Sequence, residues 1–252
     1  MRLSEHRPGL YEGDILEPLV LSSSIICAIN CTLSRRSIIL ENKIRFDPSL
    51  VIGEDWDFWI QLAKLARFGY IDKMTCMYRV HGANTTSLSE LAKRKRDLVN
   101  GRRKVLNAHW FGRLSLPTRQ QFFYSLLIGL LSGDPARQHD ILVSASFLAM
   151  PNSVQATLLR QVASDCLLRK GAPKFAGDCL RAALSLRPSD RKSWILLTCM
   201  KLDVSLCRVV LSGWQLAHKM GKKMRAFGKP VPKPAPSALI SLADGSGEYS
   251  NA

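Results

Sequence analysis

Hydrophobic and polar positions change their period once along this chain. From about residue 14 to residue 86, short apolar runs alternate with polar breaks, and one longer segment carries a helical period. Ser23 to Leu33 (SSIICAINCTL) is rich in Ile, Cys and Thr and predicts a buried strand, interrupted at turn-prone Asn30. Arg35 to Glu41 predicts a short helix, and Phe46-Asp47-Pro48 a turn. In GEDWDFWIQLAKLARFG, Trp56, Trp59, Ile60 and Ala63 recur at i, i+3, i+4 and i+7, one face of an amphipathic helix. Gly53 precedes that helix and Gly69 is its expected C-terminal stop. Tyr70-Ile71 and Thr75 to Val80 predict short strands, followed by the polar loop HGANTTS.

Beyond Ser87 the helical period takes over. From Leu88 to about Gly228 the pattern predicts helix, broken at Leu116-Pro117, Gly133-Asp134-Pro135, Met150-Pro151, Gly171-Ala172-Pro173 and Arg187-Pro188. Thr118 and Ser189-Asp190 are favourable first-turn residues after two of these breaks. Phe175 to Trp194 has the layout of a helical hairpin, with small residues on one face, a Pro turn and a new helix carrying Trp194. A single such unit does not make a solenoid, which needs several stacked repeats. From Lys229 the sequence PVPKPAPS, then Gly, Ser, Asp and Glu, predicts a disordered tail. The expected organisation is therefore residues 1–86, 87–228 and 229–252, with an α/β first part (a partial mixed sheet with helices) followed by an all-α region.

Composition adds charge to this picture. With 46% apolar residues the 252-residue chain has the make-up of a globular protein, not a disordered one. No run approaches the roughly 18 to 20 apolar residues that span a bilayer, and Met1 to Gly13 is charged and polar, unlike a signal peptide. The expected location is cytoplasmic, with peripheral contact at the inner membrane face. Seven scattered cysteines, none in a C-x-x-C pair, predict reduced and mostly buried thiols. Lys and Arg outnumber Asp and Glu by 36 to 20, a net charge of +16, which suits a polyanionic partner such as nucleic acid, an acidic membrane or a phosphorylated substrate. The basic residues gather at Lys93–Arg96, Arg102–Lys104 and Lys219 through Lys233, and no helix-turn-helix, zinc-finger, RRM or KH signature accompanies them. Nucleic acid is accordingly the last-ranked partner.

The chemistry-bearing stretch is Gly13 to Asn84. In order it presents a Gly-hydrophobic helix start, an apolar run, the pair Arg35-Arg36, FDPSL, GEDWDFWIQLA, a Gly-aromatic-Ile step and YRVHGAN. Taken together these pieces resemble the acceptor-side, C-terminal half of a family 2, GT-A-type glycosyltransferase core, followed by a helical extension. The family's strand–helix region that cradles the nucleotide and ends in an Asp-x-Asp-type metal motif has no counterpart here. Asp55-Trp56-Asp57 has the letters of that motif but occupies the Glu-Asp position.

The resemblance implies inverting transfer of a sugar from a nucleotide-sugar donor to a glycan, lipid-linked or small acceptor. Such transfer needs a base that takes the acceptor hydroxyl's proton. That role falls on Asp55, with Glu54 orienting the acceptor. The positive end of the helix they open would favour their ionised form. Trp56 and Asp57 are the implied acceptor-side neighbours, although aromatic residues on a helical stripe are more often core and an acidic first turn is often only a cap. Arg79 is implied at the leaving diphosphate and His81 at a divalent metal, Mg or Mn. A strand-end Arg and His also serve as ordinary surface hydrogen-bonding residues. The expectation is an enzyme, a family 2 glycosyltransferase whose activity by itself is left open by the missing nucleotide-binding half, and the alternative function is a non-catalytic helical interaction protein carrying a transferase remnant.

Overall fold

A computed structural model describes residues 11–23, 25–26, 31–50, 52–71, 73, 91–131, 134–169 and 172–227. Helix accounts for 69% of the interpretable residues and none lies in a strand, so the chain is mainly helical and the expected α/β class is wrong. Among the described residues backbone pairing is limited to one rung. Gly13 and Phe68 exchange two backbone hydrogen bonds of 2.7 and 2.8 Å, one antiparallel rung. The rung does not extend, because Asp14 Oδ1 accepts the Leu16 N–H at 3.1 Å and the chain turns into a helix. On the other side the Tyr70 N–H goes to the Glu12 side chain at 3.2 Å instead of to backbone. The described part of the expected strand at Ser23–Leu33 is turn, bend, 3-10 and irregular backbone, and the expected strand at Thr75–Val80 lies outside the described residues.

The helices are α1 (Leu16–Leu21), α2 (Arg36–Glu41), α3 (Glu54–Ala63), α4 (Leu91–Leu106), α5 (Leu116–Tyr124), α6 (Pro135–Leu142), α7 (Ala145–Leu148), α8 (Asn152–Leu168), α9 (Pro173–Leu186), α10 (Arg191–Leu202) and α11 (Val204–Phe227). Their starts follow the punctuation of the sequence. Pro stands in the first turn of α5, α6 and α9, where its missing N–H costs nothing. Ser115, Asp134 and Ser144 cap α5, α6 and α7 by accepting N–H groups of Thr118, Arg137 and Phe147. A π-helical turn, Ser125–Leu130, continues α5. The predicted turn at Phe46-Asp47-Pro48 is present, closed by Leu50 N–H to the Asp47 carbonyl at 3.1 Å.

The third helix ends six residues before its expected stop. The Lys64-Leu65 turn follows Ala63, and Gly69 does not take the left-handed backbone a glycine cap requires. The rung at Phe68 holds the chain extended there and forbids further helix.

By contact the chain divides into two units, Met1–Leu211 and Ser212–Ala252. In the first, Phe111, Phe122, Phe123 and Phe147 form an edge-to-face cluster with centroids 5.2 to 6.4 Å apart. Around it Leu126, Leu127, Leu158 and Val162 are completely buried. Helices α8 and α9 form a hairpin joined by a short connection, and α10 packs on α9. The predicted hairpin at Phe175–Trp194 is thus α9 and the start of α10. In the second unit Ser212 to Phe227 is helical, the C-terminal part of α11.

Candidate active site at the start of the third helix

The N-cap of α3 is Gly53, with φ of 87°, a left-handed conformation that costs a residue with a Cβ about 1 to 2 kcal/mol. Gly53 has no side chain to cap the helix, so the first-turn acids Glu54, Asp55 and Asp57 supply the negative charge its positive end favours. The predicted apolar face is present: Trp56, Trp59, Ile60 and Ala63 are all buried. Phe58 and Leu62 are buried too, so the helix is covered on most of its surface.

The first-turn acids divide into two kinds. Asp57 is 4% exposed and faces inward. Its Oδ2 accepts Lys104 Nζ at 2.9 Å and Gln61 Nε2 at 2.8 Å. The same lysine reaches Asp47 Oδ2 at 2.7 Å, so α4 clamps the FDPSL turn to α3. Lys104, with Ser49 assisting, holds the Asp47 carboxyl far below the usual carboxylate range. Burial would lower the Lys104 ammonium, but its hydrogen bonds to Asp47 and Asp57 outweigh that and raise it. Glu54 and Asp55, in contrast, are half-buried. Asp55 Oδ1 accepts the neighbouring Trp56 N–H at 2.7 Å, and the Glu54 carboxylate makes no hydrogen bond or ion pair among the described residues.

Trp56 is 4% exposed and belongs to the frame. Its Nε1 donates to the Leu19 carbonyl at 2.6 Å, and the Arg102 guanidinium lies 4.5 Å over its ring. Arg102 also faces Phe122 and donates to the Val20 and Leu21 carbonyls at the end of α1. Burial pulls the Arg102 guanidinium down to about 10, and it stays charged at neutral pH. A cation at carbonyls that end a helix is favourable, and the aromatic faces replace some of its lost hydration.

Arg79 and His81, implied at the diphosphate and the metal, lie outside the described residues. Among the described residues no three of His, Cys, Asp and Glu converge as a metal-ligand set, and the Asp57 carboxylate is already held by Lys104 and Gln61. The thiols of Cys166, Cys179, Cys199 and Cys207 are free, and burial pushes Cys179 up to about 12, consistent with inert core packing.

The sequence pointed to the acids but not to their partners. Lys104 read as one member of a basic cluster, because its contact with Asp57 spans dozens of residues and leaves no local period, whereas Gln61 is the i+4 neighbour of Asp57 on the same helix. No family model matches this sequence, and comparison with curated proteins and with solved structures gives no match.

Proposed function

We propose that residues around the start of α3 form the acceptor side of an inverting glycosyltransferase of family 2, with Asp55 as base and Glu54 orienting the acceptor. One observation carries the reading: among the described residues Glu54 keeps both carboxylate oxygens and Asp55 its Oδ2 uncommitted, while Trp56 and Asp57 lock the turn in place. A carboxylate held rigidly at a helix N-terminus can accept the proton of an acceptor hydroxyl as that oxygen attacks the anomeric carbon and the nucleoside diphosphate leaves. Glu54, one residue earlier, can accept a second sugar hydroxyl and fix the attacking geometry.

The test is amide-shift titration of the full chain with a panel of simple glycosides, with and without pyrophosphate-linked lipid-like tails. The expected result is a saturable change confined to Glu54–Phe58. Asp55→Asn and Glu54→Gln should each weaken it about ten- to a hundredfold, the cost of losing a hydrogen bond to a charged group, with the melting curve unchanged. No response at α3, or an Asp55→Asn protein that loses stability while binding is unaltered, means the acids are only a helix cap.

A second reading, a non-catalytic platform carrying a transferase remnant, draws on α10, where Trp194, Ile195 and Leu202 are 52%, 44% and 75% exposed. It predicts no glycoside response at all.

A further inference from the structure

The helical part of the second unit, Ser212–Phe227, is amphipathic in an unusual way. At 3.6 residues per turn, positions 216, 220, 224 and 227 recur on one face, and they are Leu, Met, Met and Phe. Lys219, Lys222 and Arg225 fall on the remaining arc, with Lys223 at its border. From Ser212 to Ala243 the sequence contains no Asp or Glu, so nothing within it neutralises these cations. Leu216 is 61% exposed, a large aliphatic side chain standing in water on the apolar face.

We infer that Ser212–Phe227 docks on an anionic lipid surface, apolar face down and basic arc toward the headgroups. Two features choose this partner. A cationic arc without acids is complementary to an anionic surface. A face of Leu, Met and Phe at helical spacing matches the headgroup–acyl boundary, where such helices lie in the plane of the membrane. Nucleic acid would satisfy the cations but leave the aliphatic face in water. The helix lies on the surface, since no described helix is long and apolar enough to cross a membrane. This surface is independent of the acids of α3.

Flotation of the full chain with vesicles tests it. Phosphatidylcholine vesicles containing phosphatidylserine should carry the protein, pure phosphatidylcholine vesicles should not, and added salt should release it. Neutralising three cations together (Lys219→Gln, Lys222→Gln, Lys223→Gln) should lower partitioning on the order of a hundredfold. Leu216→Ser with Met220→Ser and Phe227→Ser should abolish it at unchanged charge. Far-ultraviolet melts of both variants should match the wild type, so that loss of binding is not loss of fold. Equal binding to both vesicle types, or no vesicle binding with salt-sensitive capture of a single-stranded oligonucleotide that survives the serine changes, overturns the lipid assignment.

Discussion

Glu17 shows how much a single polar side chain can organise. It accepts the Ser115 N–H, the Ser115 hydroxyl and the Thr118 hydroxyl, each at 2.6 Å, and so fastens α1 to the first turn of α5. Partial burial would raise its carboxyl, but the bonds from Ser115 and Thr118 outweigh that and hold it below its ordinary value of 4.5. The unfolded chain therefore binds this proton more readily than the folded one. Stability from Glu17 is present above its ordinary value and is lost as pH falls through the lower folded value. Glu17→Gln should cost about 1 to 2 kcal/mol at neutral pH, discounted for solvent exposure. In urea melts at a series of pH values, the gap between wild type and variant should close as the medium is acidified below 4.5. A gap independent of pH would mean the carboxylate charge is irrelevant to the contact.

Among the helices, α4 bears the heaviest demands, because Arg102 and Lys104 reach α1 and α3 from it. Gly101 sits beside them. A Cβ there would meet the Trp56 ring at 3.6 Å, ordinary van der Waals contact. Gly101 is buried in the middle of a helix, where glycine costs about 0.5 to 1 kcal/mol relative to alanine. Gly101→Ala should accordingly stabilise the protein by up to about that amount, seen as a higher midpoint in chemical denaturation. A lower midpoint would show that Trp56 has no room to give. The helix starts at Pro117, Pro135 and Pro173 were legible because proline and the capping Ser and Asp act within one turn of themselves. The early end of α3 was not, because Gly13, far off in sequence, dictates it through the rung at Phe68.

At the scale of the first unit, polar clamps between distant helices complement the aromatic core. Arg160 on α8 pairs with Asp190, the N-cap of α10, and the Ser193 hydroxyl donates to the same carboxylate at 2.8 Å. Asp190 is 8% exposed, and Ser193 is completely buried. Burial would raise the Asp190 carboxyl, but the bonds from Ser193 and Arg160 prevail and lower it. Asp190→Ala leaves a largely buried guanidinium and hydroxyl without their acceptor and should cost about 3 kcal/mol. Calorimetry reads this directly, as one transition at lower temperature if α8 to α10 unfold with the aromatic core. A separate early transition would mean the hairpin is an independent module.

What the sequence determined by itself was local. Helical period, proline and capping residues placed most of the helices of the C-terminal part and the buried face of α3, since each depends on neighbours within one or two turns. The apolar, β-branched run Ser23–Leu33 suggested a strand, but a strand exists only if a partner lies alongside, and that is a tertiary fact. Among the described residues the backbone forms one rung, at Gly13 and Phe68, and no strand. The acids of α3 were visible as a cluster, yet their division was not. Only the folded chain brings Lys104 to Asp57 and the Leu19 carbonyl to Trp56 while leaving Glu54 and Asp55 half-exposed, because charge pairing and burial depend on distance in space rather than along the chain.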